Sequence, residues 1–459
     1  MQDTKAKQGV SAVEQISAEL LAKGIDEVEC LIPDMVGAPR GKFVPAAKYI
    51  ADGEPKLPES ILIQSITGEH VKQHFKMVDP TDCDMDLRAD PNSVTSVPWA
   101  SSPTVQIIHD CYLKSGEPHP LSSRNVLRRV LNCYKESGWQ PVVAPEVEFY
   151  LVKKNIDANE LLEPPRGRSG RAQASPQAYS IDAVSEFSEF VDTLYSYCEQ
   201  QALDVDILVH ESGAAQMEIN FLHGDALHLA DQVFMFKRTV REAALRCGFY
   251  ATFMAKPMEN NPGSAMHIHQ SILDANTGAN IFSDATHEHG HSERLLHYIG
   301  GLQEFTSKLI SFYAPNINSY RRFAPEISAP INLCWGYDNR TTAFRIPASS
   351  VGAKRVENRF PGVDANPYLA FAATLASGYL GMKHHIDPGP PHEGVANEQD
   401  VGVARTLEEG LRALADSDEL VGLLGPEFIE AYHAVKLSEF EAVNRVVTTW
   451  EREHLLLKV

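Results

Sequence analysis

Residues 141–152 read PVVAPEVEFYLV. In an extended chain, side chains two positions apart share a face. Glu146 and Glu148 therefore point one way, and Val147, Phe149 and Leu151 point the other. This alternation predicts a strand with one face on a core and one acidic face. Two alternating acids are most often the wetted side of an antiparallel strand. Taken alone, the stretch predicts a sheet and leaves the role of its acids open.

Three further segments repeat the pattern. In LVHESGAAQMEINFL (208–222), Glu211 and Glu218 flank SGAAQ, which can turn the chain so that two neighbouring strands each present an acid. In NPGSAMHIHQSI (261–272), His267, His269 and Ser271 share a face; paired histidines beside a Gly-containing loop favour a site over a lone structural histidine. In AKRVENRF (353–360), Arg355, Glu357 and Arg359 alternate in the same way. A surface ladder of ion pairs would explain this last segment were it not for its surroundings. Window 321–360 holds seven basic residues (Arg321, Arg322, Arg340, Arg345, Lys354, Arg355 and Arg359) against Glu326, Asp338 and Glu357, inside a chain of net charge −20. The guanidinium fork matches carboxylate and phosphate oxygens, so such an island predicts bound anions.

Five acids and one histidine form a hard-oxygen set suited to Mg²⁺ or Mn²⁺ rather than zinc. Divalent cations beside arginines describe phosphoryl transfer. Neither GxxxxGK[ST] nor GxGxxG is present, which excludes a P-loop or Rossmann nucleotide site. The residues thus point to a metal- and ATP-dependent enzyme of another fold.

The remaining chain is consistent with that expectation. At 459 residues it can hold two or three folding units, and its 43% hydrophobic content suits a globular enzyme. The negative charge disfavours nucleic acid and anionic membranes as partners. The first residues, MQDTKAKQGVSAVEQ, carry no apolar leader, and seven scattered cysteines without CxxC spacing fit a reducing cytoplasm. YLAFAATLASGYLGM (368–382) is too short and interrupted for a membrane span and predicts a buried helix. ECLIPDMVGAPRGKFVP (29–45) predicts strand, turn and strand in a small β-rich unit. HPLSSRNVLRRVLNCYKESGW (119–139) predicts a helix capped by Ser122 or Ser123 and ended by Gly138. The domain boundary is therefore expected at about residue 119, giving units 1–118 and 119–459. Residues 160–180 predict an exposed loop, and 404–454 a helical C-terminus.

Six motifs in order, PEVEFYL, HESGAAQMEINF, ATFMAKPM with NPGSAMHIHQS, NSYRRFAPEISAP, DNRTTAFRIP and KRVENRFPGVDANPYLA, resemble those of the glutamine synthetase superfamily. The resemblance runs from about residue 25 to the end. It implies an α+β fold: an N-terminal β-grasp domain, then a catalytic domain with a curved antiparallel sheet, in rings that are commonly two stacked hexamers. It also implies that ATP activates the γ-carboxylate of L-glutamate as γ-glutamyl phosphate, which a nitrogen nucleophile attacks. By position, Glu148, Glu211 and Glu218 match the ligands of one metal, and Glu146, His267 and Glu357 those of a second. Arg322 matches the holder of the glutamate α-carboxylate, Gly263 the segment lining the same substrate, and Arg359 the arginine at the reacting γ-carboxylate. Arg340, Arg345 and Arg355 match arginines facing nucleotide phosphates, with His269 and Ser271 nearby; Arg321 has no counterpart role.

The sequence also departs from the ammonia-using members. Their loop resembling PGYEAP carries an acid that deprotonates ammonium; here the loop is PEISAP, with Ser328 at that position. Their N-terminal FDGSS aspartate is replaced by apolar LPESILIQSITGE (57–69), with Leu62 or Ile63 at the corresponding point. The pattern is similar to γ-glutamylpolyamine and γ-glutamylmonoamine synthetases, which implies a small organic amine as acceptor. Amines with pKa near ~10 arrive protonated, and Glu326 is the candidate base. Asn261-Pro262-Gly263 inserts a proline into the glutamate segment, and nothing after residue 385 resembles the NLYDLP adenylylation loop. The alternatives are a glutamine synthetase with a rearranged ammonium pocket and a catalytically silent ring protein.

Overall fold

The computed structural model describes residues 12–71, 74–174, 176–324, 329–398 and 402–459. Glu326 and Ser328 lie outside the described residues.

The N-terminal part is built on six strands: β1 (Glu27–Pro33), β2 (Pro39–Pro45), β3 (Leu57–Pro58), β4 (Asp84–Ala89), β5 (Thr95–Ser96) and β6 (Thr104–Tyr112). Their order is β2-β1-β6-β4-β3, with β5 also on β6; β1 and β6 run parallel at the centre and the other pairs are antiparallel. The predicted turn between β1 and β2 forms because the Asp34 carboxylate accepts the backbone N–H groups of Val36 and Ala38 at 3.0 and 2.8 Å. Gly37 supplies the positive φ of +81° that the turn needs. Helix Ala12–Lys23 closes a small core against this sheet with Ile16 and Leu20, packed with Val28, Cys30, Tyr49 and Ile107.

The periodic stretch after residue 119 forms helix Ser123–Glu136, burying Val126, Leu127, Val130 and Tyr134, and Gly138 follows it at φ +72°. Ser122 occupies the cap position without a side-chain cap bond. Arg124, fully buried on this helix, binds Asp90 (2.6 Å), Asp110 (2.5 Å) and Asp231 (2.7 Å), tying the first sheet to helix Ala226–Arg246.

The second sheet contains nine strands among the described residues: β7 (Trp139–Lys153), β8 (Val205–His210), β9 (Gln216–Phe221), β10 (Gly224–Asp225), β11 (Phe249–Thr252), β12 (Met266–Asp274), β13 (Trp335–Tyr337), β14 (Phe344–Ile346) and β15 (Val356–Asn358). The order is β13-β14-β15-β12-β7-β9-β8, with β10 and β11 also on β7, and only β13/β14 is parallel. The opening motif therefore fills most of β7, an interior strand of 15 residues. Its Val147, Phe149 and Leu151 are fully buried in the main core, as the alternation predicts.

The apolar run near residue 370 forms the buried helix Pro367–His384, capped by Asn366, whose side chain accepts from Tyr368 N–H, with proline at the first turn. Among the described residues no helix is long and apolar enough to cross a membrane. The described residues of 160–180 run as a mostly exposed loop, and the C-terminus is helical at Leu407–Ala415, Asp418–Leu424, Pro426–Asn444 and Thr449–Leu455.

Candidate active site

The register of the second sheet assembles the polar faces. Glu148 pairs across strands with Glu218, Glu146 with His267, His269 with Glu357, and Glu357 with Arg345. Residues directly opposite in a ladder project to the same side. Segments more than 200 residues apart in sequence (Glu146 to Glu357) thus form one lateral row of acids, histidines and arginine.

Within the row, His269 Nε2 lies 2.9 Å and His267 Nδ1 3.2 Å from the Glu146 carboxylate, and His267 is 3.7 Å from Glu357. Two sets of ligand atoms lie within 4.8 Å of one another: those of Glu146, His269 and Glu357, and those of Glu146, Glu218 and His267. This grouping differs from the expected one. Glu146 is common to both sets, and His269, expected near nucleotide, stands among the acids. Glu148 is fixed separately, accepting from Ala265 N–H at 2.9 Å and Gln216 Nε2 at 3.1 Å. Glu211 follows β8 and lines a small hollow with Glu148, Gly263 and Arg322.

The electrostatics divide the acids. Burial, with the Glu211 charge beside it, pushes the Glu148 carboxyl up to about 8. Burial and the neighbouring acids also raise Glu218, and burial raises Glu211. None of these three makes an ion pair among the described residues. Glu146 is half-buried and Glu357 buried, but His267 and His269 hold Glu146 low, and Arg359, His269 and His267 bring Glu357 to about 2. The buried Nε2 of His267 has no hydrogen-bond partner among the described residues. Clustered, mutually repelling carboxylates beside an orphaned imidazole nitrogen fit divalent cations bound through oxygen and one nitrogen. The residues present therefore suit Mg²⁺ or Mn²⁺.

The arginines lie on two sides of the row. Arg322 ends the short helix Ile317–Arg322, is buried, and donates to the carbonyls of Phe360 (2.7 Å) and Arg359 (2.8 Å). Gly263 lies against it: a Cβ there would come 2.7 Å from Arg322 Cγ and 2.8 Å from the Ala255 carbonyl. Arg359 donates to Glu357 at 2.5 Å, and its buried Nε has no partner among the described residues. Arg345 bridges Glu357 (2.9 Å) and Asp338 (2.5 Å), and Arg355 Nε donates to His269 at 3.3 Å. Arg340 is exposed, and its charge offsets part of the rise that burial imposes on Glu211. A cleft of about 490 Å³ opens along Glu146, His269, Ser271 and Arg355, with Asp206 and His223 also on its lining. Arg321 lies away from the row, on a different hollow beside Glu439 and Phe440.

Several supporting residues were not singled out in the sequence. Gln216 and Asn220 hold Glu148 and Glu146 (3.1 and 3.2 Å), and they share the strand face of Glu218, so the alternation in QMEIN contained the signal. Asp338 orients Arg345 and has no such local signal. Asn261 uses its side-chain oxygen to accept from Ala214 N–H at 3.3 Å, and Pro262 offers its carbonyl to the Tyr150 hydroxyl at 2.8 Å. Leu62 and Ile63, at the point that corresponds to the missing aspartate, are both fully buried in the core. The exposed side chains of that stretch include Ile66 and Glu69.

A curved row of acids bounded by a small hollow, a larger cleft and arginines is the arrangement of a metal-dependent ligase, and the comparisons place it. The profile described as "Glutamine synthetase, catalytic domain" matches residues 120–455, and the chain belongs to the glutamine synthetase family. Within the family it is similar to amine-ligating members. Gamma-glutamylputrescine synthetase from Escherichia coli is 34% identical over 94% of this chain and 91% of that protein. Glutamate–isopropylamine ligase from a Pseudomonas species is 32% identical over 93% of this chain and 94% of that one. A glutamine synthetase from Pyrococcus abyssi is comparably similar, 35% identical over 87% of this chain and 82% of its own length. Among solved structures, that titled "Apo GmaS without ligand" superposes with a TM-score of 0.82 at 27% identity, covering 96% of this chain and 99% of that one.

Proposed function

We propose that this protein is an ATP-dependent ligase joining the γ-carboxylate of L-glutamate to a small organic amine, a polyamine such as putrescine or spermidine or a monoamine. The observation that carries the reading is the single row running from Arg322 and Gly263 through the acids to Arg355 and the 490 Å³ cleft. It offers a carboxylate holder at one end and room for a nucleotide at the other.

In this reading Arg322, with Gly263 beneath it, holds the glutamate α-carboxylate. Arg359 and Arg340 face the γ-carboxylate and the transferring phosphoryl group. Arg345, Arg355, His269 and Ser271 serve the ATP phosphates. Glu146, Glu148, Glu211, Glu218, His267 and Glu357 would hold two or more Mg²⁺ or Mn²⁺ ions, which supply neutralisation of phosphate charge. A γ-carboxylate oxygen attacks the terminal phosphorus of ATP and releases ADP; the amine nitrogen then attacks the acyl carbon and releases phosphate. Glu326 is the proposed acceptor of the amine proton.

Three features favour an amine over ammonia. Ser328 replaces the expected acid, residues 57–69 lack an FDGSS aspartate, and two amine-ligating relatives match nearly the whole chain. The second reading, a glutamine synthetase, is favoured by the similar Pyrococcus enzyme. We further propose a β-grasp unit over 1–118, a catalytic unit over 119–459 and a cytoplasmic dodecamer. The exposed apolar tail containing Val446, Val447, Trp450, Leu456 and Leu457 supports association of subunits.

ADP release with L-glutamate, ATP and Mg²⁺ discriminates the readings, comparing ammonium with putrescine, spermidine, ethanolamine and a short alkylamine. Turnover with an amine far above ammonium, with the γ-glutamyl-amine seen by mass, is the expected result. Preference for ammonium selects the second reading.

A further inference from the structure

A second cavity, of about 400 Å³, lies between the β1–β2 turn, helix Ala226–Arg246, the end of β11 and Asn316–Asn318. It shares no lining residue with the acidic row or the main cleft. Three cations of one helix line it, and they differ in how far they are satisfied. Arg238 is neutralised by both carboxylate oxygens of Glu29. Lys237 is buried, donates one N–H to the Ala365 carbonyl at 2.8 Å, and makes no ion pair among the described residues. Arg241 is exposed, with its guanidinium carbon 5.0 Å from the centre of the Phe253 ring, and it too lacks an ion pair among the described residues.

The acid on this wall is Asp364, whose Oδ2 accepts from Asn316 at 2.7 Å and from Ser319 at 2.6 Å. Two uncompensated cations therefore face one hydrogen-bonded carboxylate, beside apolar surface from Phe234 and Phe253. A buried ammonium with unused donors is costly unless an anion completes it. Burial, with Arg241 next to it, pushes the Lys237 ammonium down to about 7, which an anion would reverse.

We propose that this cavity binds a small organic oxyanion, a carboxylate or a phosphate ester, between Lys237 and Arg241. Its volume lies in the range of small-molecule sites. Its floor leads to the active site: Asn318 bonds the backbone N–H and carbonyl of Lys256, both at 2.9 Å, and Ile317–Arg322 ends in the buried Arg322. An occupant touching Asn318 and Asp364 bears on the segment that carries Arg322, so it shifts the KM for glutamate. That coupling rests on the proposed role of Arg322; the binding itself does not.

The test is calorimetric titration of the full-length protein with succinate, inorganic phosphate and AMP separately, at constant ionic strength. One chemistry is expected to bind at or below about 1 mM, and Arg241→Glu to weaken it at least about tenfold. Arg355→Ala, in the main cleft, leaves that binding within about twofold. Lys237→Met gives a second loss; Arg241→Glu, with its side chain in solvent, keeps the test sound if Lys237→Met fails to fold. The preferred probe separates a carboxylate from a phosphate ligand. No heat with any probe at about 10 mM overturns the site, as does wild-type affinity in Arg241→Glu or a loss that instead follows Arg355→Ala. Binding that leaves the KM for glutamate unchanged overturns the coupling alone.

Discussion

Gly263→Ala tests the proposed glutamate-carboxylate end of the row. Gly263 does not adopt the left-handed backbone region, so the effect is steric rather than conformational. The new methyl would meet Arg322 Cγ at 2.7 Å, Arg322 Cδ at 3.1 Å and the Ala255 carbonyl at 2.8 Å. The carbonyl is backbone and itself accepts from Ser264 N–H at 2.8 Å, so the arginine stem has to give. Moving it disturbs the bonds from Arg322 to the Phe360 and Arg359 carbonyls, both below 3 Å. Overpacking of this kind costs about 1–3 kcal/mol. If about 1.4–2.8 kcal/mol of it is expressed in substrate binding, the KM for glutamate rises about 10- to 100-fold. The KM for ATP should change little, because the 490 Å³ cleft does not include Gly263. Coupled-enzyme ADP release at saturating ATP gives the first value, and a matched ATP series gives the second. A glutamate KM within twofold of wild type, in protein with unchanged thermal unfolding, would refute the placement of substrate against Arg322.

Three other outcomes follow from the same structure. Glu218→Gln removes a buried charge raised by its acidic neighbours, so the metal-free variant should unfold at a higher temperature than metal-free wild type. Mg²⁺ should stabilise wild type, by about 2.7 kcal/mol at a hundredfold excess over Kd, and the variant far less in the same fluorimetric scan. Arg124→Met leaves Asp90, Asp110 and Asp231 without their shared cation and should cost about 3–5 kcal/mol in denaturant unfolding; a loss below about 1 kcal/mol contradicts the network. Burial opposes it, but the Arg124 guanidinium holds the Asp90 carboxyl below its ordinary value of 3.8. The stability from Asp90 is therefore complete above pH 3.8 and lost as pH falls through the lower folded value. Asp90→Asn should flatten that acid limb while lowering stability at neutral pH, as read by Tm against pH.

Local periodicity made much of the architecture legible. The helix at Ser123–Glu136, the buried helix at Pro367–His384 and the strand–turn–strand at 27–45 were all readable, because capping residues, 3.6-residue spacing and Gly/Pro turns act over a few positions. The same holds for which side of β7 carries acids. The partners of those acids were not readable from pattern alone. Asp338, which orients Arg345, sits in a loop with no repeat to mark it.

Composition and alternation by themselves determined that this is a globular chain with acidic and basic strand faces, and motif order determined its family and, through that resemblance, implied the α+β fold. Tertiary structure alone decided which faces meet. Register between β9, β7, β12, β15 and β14 aligned Glu218, Glu148, Glu146, His267, His269, Glu357 and Arg345 in one row, and it joined Glu146 to both candidate ligand sets. A one-residue slip in any of these ladders would send its side chains to the opposite face. That choice depends on which apolar faces pack together over long range, which no local window of sequence contains.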